Sequence, residues 1–390
     1  MDKAEREGVV RVLGCFDSFK DSLEADLVAD AVLHAIAHLY PGRVETRSLS
    51  LSDGGNGFLN ALKGPLALKL ASYGSSTRPD CAGRLAVVEM ASASGLEKVP
   101  LDLRNPLHTT TEGTGQLMQH AFDEGHSHII VGMGGSATND GGLGCLHALG
   151  VRVRIQPDDE DPEEHPPIVF GRHLNKVTSL TMPESGVLKG ATVEIASDVD
   201  NPFVGEKGAV AVFSAQKGAT EEIQKRLEAG MHRVAGFYRD SLPLGIDVAH
   251  LPGAGSAGGL TGGIVATTGA KIKRGIEFVA EALGLEEAIK GSDLVLTGEG
   301  RYDTQTQHGK TVSEVQKLAK KHHKPVVVIC GSKKDIPEGE DHHVYELVSM
   351  YDLDTCMNRT AQSLDGLVRA NASRFPVLSR LGAPQDQASL

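Results

Sequence analysis

Residues 132–142, GMGGSATNDGG, constrain the fold of this 390-residue chain more than any other stretch. Ahead of them, residues 127–131 (SHIIV) form an apolar run of the length of a buried strand. Behind them, residues 143–149 (LGCLHAL) have the composition of a helix. A glycine-rich turn leading from a strand end into a helix start belongs to a parallel α/β layer, where ligands gather beyond the carboxyl ends of strands. The five glycines let the main chain approach a guest closely and point several N–H groups at one place. The helix start adds partial positive charge, so the expected guest is an anion such as phosphate. The backbone of Gly134 and Gly135 and the short polar side chains of Ser136, Thr138, Asn139 and Asp140 are the candidate contacts. The plainer reading is a tight turn with a good helix cap, but that needs one or two glycines.

The same alternation recurs at both ends of the chain. Residues 9–15 read as a strand, 26–39 as an amphipathic helix ended by Pro41-Gly42, and 44–51 as a second strand. Near the carboxyl terminus, 293–297, 325–331 and 345–350 read as strands, with helices at 311–322 and 361–373. The middle has a different texture. It carries strands at 85–90 and 193–196, helices at 114–124, 221–237 and 276–289, a glycine-rich apolar stretch at 256–268, and an acidic, proline-bearing run at 157–167 that reads as an exposed loop. The expected organisation is one α/β domain from residues 1–62 and 286–390, with a second α/β domain, 63–285, inserted into it.

Composition narrows the function. A formal net charge of −12 argues against nucleic acid or an anionic membrane as partner, and means that an anionic substrate must meet local cations. No run of about 18 apolar residues suggests a membrane span, and residues 1–8 are charged, without a secretory h-region. The five cysteines are scattered and form no CxxC pair, which favours reduced thiols in a cytoplasmic setting and disfavours a zinc site.

Polar clusters fall where strands end. Asp17, Ser18 and Lys20 follow the first strand, Asp53 and Gly54 the second, and Asp198-Val199-Asp200-Asn201 the strand at 193–196. Glu299 and Arg301 follow the strand at 293–297, while Gln216 and Lys217 stand in a further polar patch. Lys20 and Arg301 are the cations for a carboxylate or a phosphoryl group, although an Arg–Asp structural pair is a rival for Arg301. Two carboxylates two residues apart in an extended segment suit phosphoryl transfer, which uses Mg²⁺ on the phosphates and an acceptor for a hydroxyl proton. Asp198 is the favoured base and Asp200 the favoured metal ligand, though the residues alone leave that order open, and an Asx-turn closed by Pro202 is the structural alternative. Gly309-Lys310-Thr311 fails the P-loop spacing because residue 304 is Thr304. Residues 253–258 match GxGxxG but follow Leu251-Pro252 instead of a strand, which excludes a dinucleotide fingerprint there. The adjacent histidine pairs 322–323 and 342–343 read as surface, and Ser136 is not in a GxSxG elbow.

Taken in order, the blocks Asp17-Ser18-Phe19-Lys20, Asp53-Gly54-Gly55, Glu89-Met90-Ala91, residues 109–115 (TTTEGTG), GMGGSATNDGG, Asp198-Val199-Asp200-Asn201-Pro202, Gln216-Lys217-Gly218-Ala219, Pro252-Gly253-Ala254-Gly255 and Thr297-Gly298-Glu299-Gly300-Arg301 resemble the glycerate kinases of the bacterial type. The resemblance implies a flavodoxin-like parallel-sheet domain with an inserted α/β domain and a site in the cleft between them. It also implies transfer of a phosphoryl group from ATP, with Mg²⁺, to D-glycerate, yielding 2-phosphoglycerate; the residues themselves do not separate the 2- from the 3-hydroxyl. A kinase for another small hydroxy acid, or a silent anion-binding protein of the same fold, are the alternatives, and a homo-oligomer is left open. The chain departs from the family pattern at Asp21, where a glycine is usual, and at Asn56, where a glutamate is usual. Residues 63–84 look shortened and the acidic run near Asp158 looks inserted.

Overall fold

The structure is a computed structural model that describes residues 8–52, 58–63, 69–70, 74–76, 84–303, 311–334, 343–382 and 384. In chain order its strands are β1 (Val10–Phe16), β2 (Val44–Ser50), β3 (Lys69–Leu70), β4 (Gly74–Ser76), β5 (Leu85–Glu89), β6 (His128–Gly132), β7 (Arg152–Ile155), β8 (Val177–Thr181), β9 (Thr192–Ala196), β10 (Lys271–Lys273), β11 (Leu294–Tyr302), β12 (Val326–Lys333) and β13 (Val344–Glu346). They belong to two compact units, one formed by Met1–Asp53 with Ile276–Leu390, the other by Gly54–Gly275.

The first unit is a five-stranded sheet in the order β2-β1-β11-β12-β13, with every pairing parallel. Numbered within the unit this is 2-1-3-4-5, the flavodoxin-like order. Parallel neighbours need crossovers, and the helices supply them. The helix Ala25–Leu39 buries Val28, Val32, Leu33, Ile36 and Leu39, a stripe at helical spacing. It stops where Tyr40 donates its N–H to the Ile36 carbonyl and Gly42 takes a φ of +71°. Val12, Phe16, Leu294, Leu296, Val327 and Ile329 meet that helix and the closing helix Thr360–Asn371 in one core.

The second unit holds a six-stranded sheet in the order β10-β9-β6-β5-β4-β3, parallel from β10 to β5 and antiparallel at the β4 and β3 edge. A separate two-stranded antiparallel sheet pairs β7 with β8. Its core gathers Met118, Ile129, Val131, Leu146, Ile195, Phe203, Met231, Tyr238 and Leu260. The glycine-rich apolar stretch becomes a short 3-10 turn followed by the helix Leu260–Thr268, buried on all sides except at its last residue.

Several local expectations change. Residues 276–289 form two helices, Gly275–Leu283 and Leu285–Gly291, because Gly284 takes a φ of +60° between them. The strand expected at 345–350 ends at Glu346 and runs into a 3-10 turn at Leu347–Ser349. His322 is not a free surface histidine: its Nε2 lies 2.7 Å from Glu286 Oε1. The acidic run is tied down as well. Asp161 is buried and receives Arg172 Nη2 at 3.0 Å, His173 Nε2 at 2.9 Å and Lys176 Nζ at 2.6 Å. Burial pushes the Asp161 carboxyl up, but the hydrogen bonds from Arg172, Lys176 and His173 together outweigh it and hold the group well below the usual aspartate range. His173 accepts the Phe170 N–H on Nδ1, so the proton that faces Asp161 sits on Nε2.

Candidate active site

In the second unit, three parallel strands deliver their carboxyl ends side by side. The Met90 N–H donates to the Gly132 carbonyl at 3.0 Å, and the Met133 N–H to the Ala196 carbonyl at 3.1 Å. The register therefore aligns the ends of β5, β6 and β9, the edge at which an open parallel sheet offers a binding place. Past that edge, the glycine-rich turn of residues 133–142 lies between the segment after β5 and the segment after β9.

The turn is locked from both sides. The Leu96 N–H donates to the Gly135 carbonyl at 2.8 Å, and the Ala137 N–H to the Ser94 carbonyl at 2.9 Å. On another side the Gly141 N–H donates to the Gly258 carbonyl at 3.0 Å, and a Cβ built on Gly258 would stand 1.9 Å from the Thr138 oxygen. This contact accounts for the GxGxxG-like stretch at 253–258: its glycines let backbone lie on backbone. Gly135 is exposed at a φ of +73°, so a side chain there would strain the turn as well as stand in front of it.

The polar residues of the turn divide by burial. Gly134 and Ser136 are half-buried and Gly135 is exposed, whereas Thr138, Asn139 and Asp140 are fully buried. Asp140, expected at the mouth, faces inward. Its Oδ2 accepts the Thr111 N–H at 2.7 Å, the Thr111 hydroxyl at 2.8 Å and the Gly144 N–H at 3.2 Å, while Oδ1 accepts the Gly142 N–H at 3.0 Å. Burial pushes this carboxyl up against those four donors. The start of the short helix Leu143–Ala148 is thus already occupied by the protein's own carboxylate, which corrects the expectation of an anion seated there. Asn139 likewise turns inward, donating to the Ala209 carbonyl at 3.4 Å.

Beneath the turn sits Lys217, 2% exposed, at the end of the 3-10 turn Ala215–Lys217. Its Nζ donates to the Ser136 hydroxyl oxygen at 2.9 Å and to the Thr138 carbonyl at 2.7 Å. Burial pulls the Lys217 pKa down to about 7, with Asp140 pushing the other way. Gln216, its neighbour, is exposed. After β9 the paired aspartates part company. The Asp198 carboxylate oxygens are shielded from solvent, whereas Asp200 is exposed, so the two do not share the common environment that an extended segment suggested. Asn201 is anchored, its amide donating to the Lys207 carbonyl at 2.8 Å.

In the first unit β1 ends beside Gly298, where the Asp17 N–H donates to the Gly298 carbonyl at 3.0 Å, while β11 continues to Tyr302, so Glu299 and Arg301 lie on that strand and do not follow it. Asp17 is half-buried; its Oδ1 accepts the Ser18 N–H at 2.7 Å and its Oδ2 the Thr311 hydroxyl at 2.6 Å. Glu299 is half-buried on β11, two residues before Arg301. The backbone at Gly300 lies against Phe19 and Lys20, whose N would be 3.3 Å from a Cβ on Gly300. The structure therefore puts Lys20 and Arg301 at the same end of one sheet, both exposed, with Arg301 Nε 3.2 Å from Asp303 Oδ2. Asp53 and Gly54 lie outside the described residues. Sequence reasoning missed Thr311, the first residue of the helix Thr311–Lys321. Its signal is the Gly309-Lys310-Thr311 triplet, which by spacing reads only as a failed phosphate loop. Sequence reasoning also missed Thr111, whose hydroxyl holds Asp140 and accepts the Cys145 N–H at 2.9 Å.

The sequence pattern of the glycerate kinase family matches residues 12–376. The chain belongs to that family. It is a kinase, and it is similar over most of its length to glycerate kinases from several bacteria. One from Bacillus cereus is 41% identical over 338 residues, spanning 83% of this chain and 85% of its own. A protein named glycerate 2-kinase from Escherichia coli is 41% identical over 337 residues, spanning 82% and 84%. A crystal structure from Salmonella typhimurium, assigned provisionally as glycerate kinase 2, superposes with a TM-score of 0.71 at 36% identity, covering 94% of this chain and 99% of that one. Among the described residues no helix is long and apolar enough to cross a membrane.

Proposed function

We propose that the chain transfers the terminal phosphoryl group of ATP to D-glycerate, with Mg²⁺, and that the product is 2-phosphoglycerate. The observation that carries this reading is the extent of the likeness: the family pattern spans residues 12–376, and every strand-end cluster described above falls inside it. The position of the new phosphate follows the name of the Escherichia coli relative.

The residues present suit the chemistry. Mg²⁺ is commonly held by one or two carboxylates together with the phosphates of the substrate, so no dedicated cage is required. None with three His, Cys, Asp or Glu ligands occurs among the described residues. Asp200, exposed at the end of β9, has the oxygen chemistry and the access to hold the ion, which when bound would neutralise charge on the phosphates. Asp198, shielded beside it, is the proposed acceptor of the glycerate hydroxyl proton. Gly134, Gly135 and Ser136 form the open part of the turn and are the proposed phosphate or carboxylate contacts. Lys20 and Arg301 supply the local positive charge that a chain of net charge −12 needs for an anionic substrate. A guanidinium has five N–H groups, so Arg301 can engage a carboxylate or phosphate in addition to Asp303. Asp17, Ser18 and Glu299 complete the proposed set beside them. Consumption of ATP by the purified protein, measured with and without D-glycerate, tests the reading; consumption indifferent to glycerate refutes it.

A further inference from the structure

Resting on the kinase reading above, we propose that Lys217 is a positioning residue: its ammonium donates to the Ser136 oxygen and so directs the Ser136 O–H outward, as a hydrogen-bond donor to an anionic oxygen of the ligand. An ammonium has three donors and no acceptor, and a serine hydroxyl has one donor and two lone pairs. With Lys217 Nζ at 2.9 Å from Ser136 Oγ, the line between them carries a lysine proton, and the serine proton must point elsewhere. The second bond, 2.7 Å to the Thr138 carbonyl, fixes where the ammonium sits, because the two acceptors stand two residues apart on the turn. Lys217 is buried while Ser136 is half-buried beside exposed Gly135, so the cation reaches a ligand through the hydroxyl and not directly.

A purely structural tie does not need a charge. A neutral donor would hold both oxygens without the desolvation cost of a buried ammonium. The geometry also has a second state. A neutral amine accepts a hydrogen bond, so loss of the lysine proton lets the Ser136 O–H turn inward. Burial favours that loss near neutrality, and Asp140 is the charged group among the described residues that opposes it. An anion at Ser136 stabilises the charged form, so ligand binding and protonation of Lys217 are coupled. The shared ligand chemistry is an anionic oxygen, supplied either by a phosphate of the nucleotide or by the carboxylate of glycerate.

The test compares wild type, Ser136→Ala, Lys217→Met and the double variant. The KM for D-glycerate is measured at saturating ATP, and the KM for ATP at saturating glycerate, from about pH 6 to about pH 8.5. One of the two KM values should rise roughly tenfold in each single variant, the size of one hydrogen bond to a charged group, and no further in the double variant. In wild type that same KM should climb as pH passes about 7, where the lysine loses its proton, and the climb should be absent from both single variants. Which KM moves identifies phosphate or carboxylate as the partner. Multiplicative effects in the double variant, or a pH dependence that survives Lys217→Met, would overturn the proposal, as would KM values that do not move. Should Lys217→Met not fold, Ser136→Ala at a half-exposed position carries the pH comparison alone. A wild type that consumes no ATP with glycerate refutes the kinase reading separately. Calorimetric titrations with inorganic phosphate and with D-glycerate then decide the inference: binding of either one that weakens above pH 7 in wild type and not in Ser136→Ala upholds it, and any other pattern overturns it.

Discussion

Lys217 sets stability against chemistry within one side chain. Its folded pKa of about 7 lies below its ordinary value of 10.5, so between those values the unfolded chain binds a proton that the folded chain does not. By linkage, that residue makes stability rise with pH across the window, by up to a few kcal/mol, since each tenfold change in proton affinity is worth about 1.4 kcal/mol. In urea unfolding between about pH 7 and pH 10, Lys217→Met should flatten the rise relative to wild type; identical slopes would show that the lysine is not desolvated. Asp21 presents a smaller conflict. It takes a φ of +62°, in the left-handed region that favours glycine, at the position where the resembled family usually has glycine. Asp21→Gly should therefore stabilise the protein by about 0.5–1 kcal/mol, relief of the strain being partly offset by the greater freedom of glycine when unfolded. A fall in thermal midpoint would contradict the strain. The sequence flagged Asp21 as a departure but could not show its backbone angle.

At the scale of elements, the β/α alternation was legible because buried parallel strands are short apolar runs and their helices carry apolar stripes. The antiparallel pair β7–β8 was not read, although residues 152–155 alternate exposed and buried positions, because four residues are a short signal and the partner lies beyond residues 156–176. The break at Gly284 was missed for another reason: both halves have helical composition, and the break shows only as a change of buried face, from Ile276 and Val279 to Leu285, Ala288 and Ile289, at the one residue whose backbone angle separates the two helices. The turn after β6 was recognised as special, but the division of labour inside it was not, because burial is decided by partners distant in sequence. Asp140 shows this. It joins the starts of the helices Glu112–Asp123 and Leu143–Ala148, 29 residues from Thr111. Asp140→Asn places an amide donor against backbone donors and should cost about 2–4 kcal/mol, read as a lower urea midpoint; unchanged stability would return the residue to the ligand side. After β9, Asp198→Asn and Asp200→Asn should separate on Mg²⁺ titration. Loss of a base costs roughly 10²–10⁴-fold and is not restored by metal, whereas the Asp200 variant should recover part of its turnover at high Mg²⁺. Wild-type turnover in both variants would leave the segment as a turn closed by Pro202.

For the whole molecule, what the sequence made legible was the order of its motifs. Each polar cluster alone has a structural explanation, and two candidate signatures, at 253–258 and 309–311, are not what their patterns first suggest. Their sequence along the chain, with the flavodoxin-like strand order of the first unit and the likeness to glycerate kinases across residues 12–376, identifies the family. Some strand ends could be located from composition, as at Phe16 and Ala196, but not the end of β11, which runs past residue 297 to Tyr302; which polar atoms are turned inward, as at Asp140 and Lys217, could not, because that depends on the packed partner. The central claim concerns one reaction, and phosphorus NMR of the products from ATP and D-glycerate, with Mg²⁺ present and then withdrawn, tests it most directly. The account predicts a phosphomonoester on the 2-position of glycerate that forms together with ADP and fails to form without the metal. ADP without a glycerate ester, or a resonance from the 3-phosphate, would contradict it.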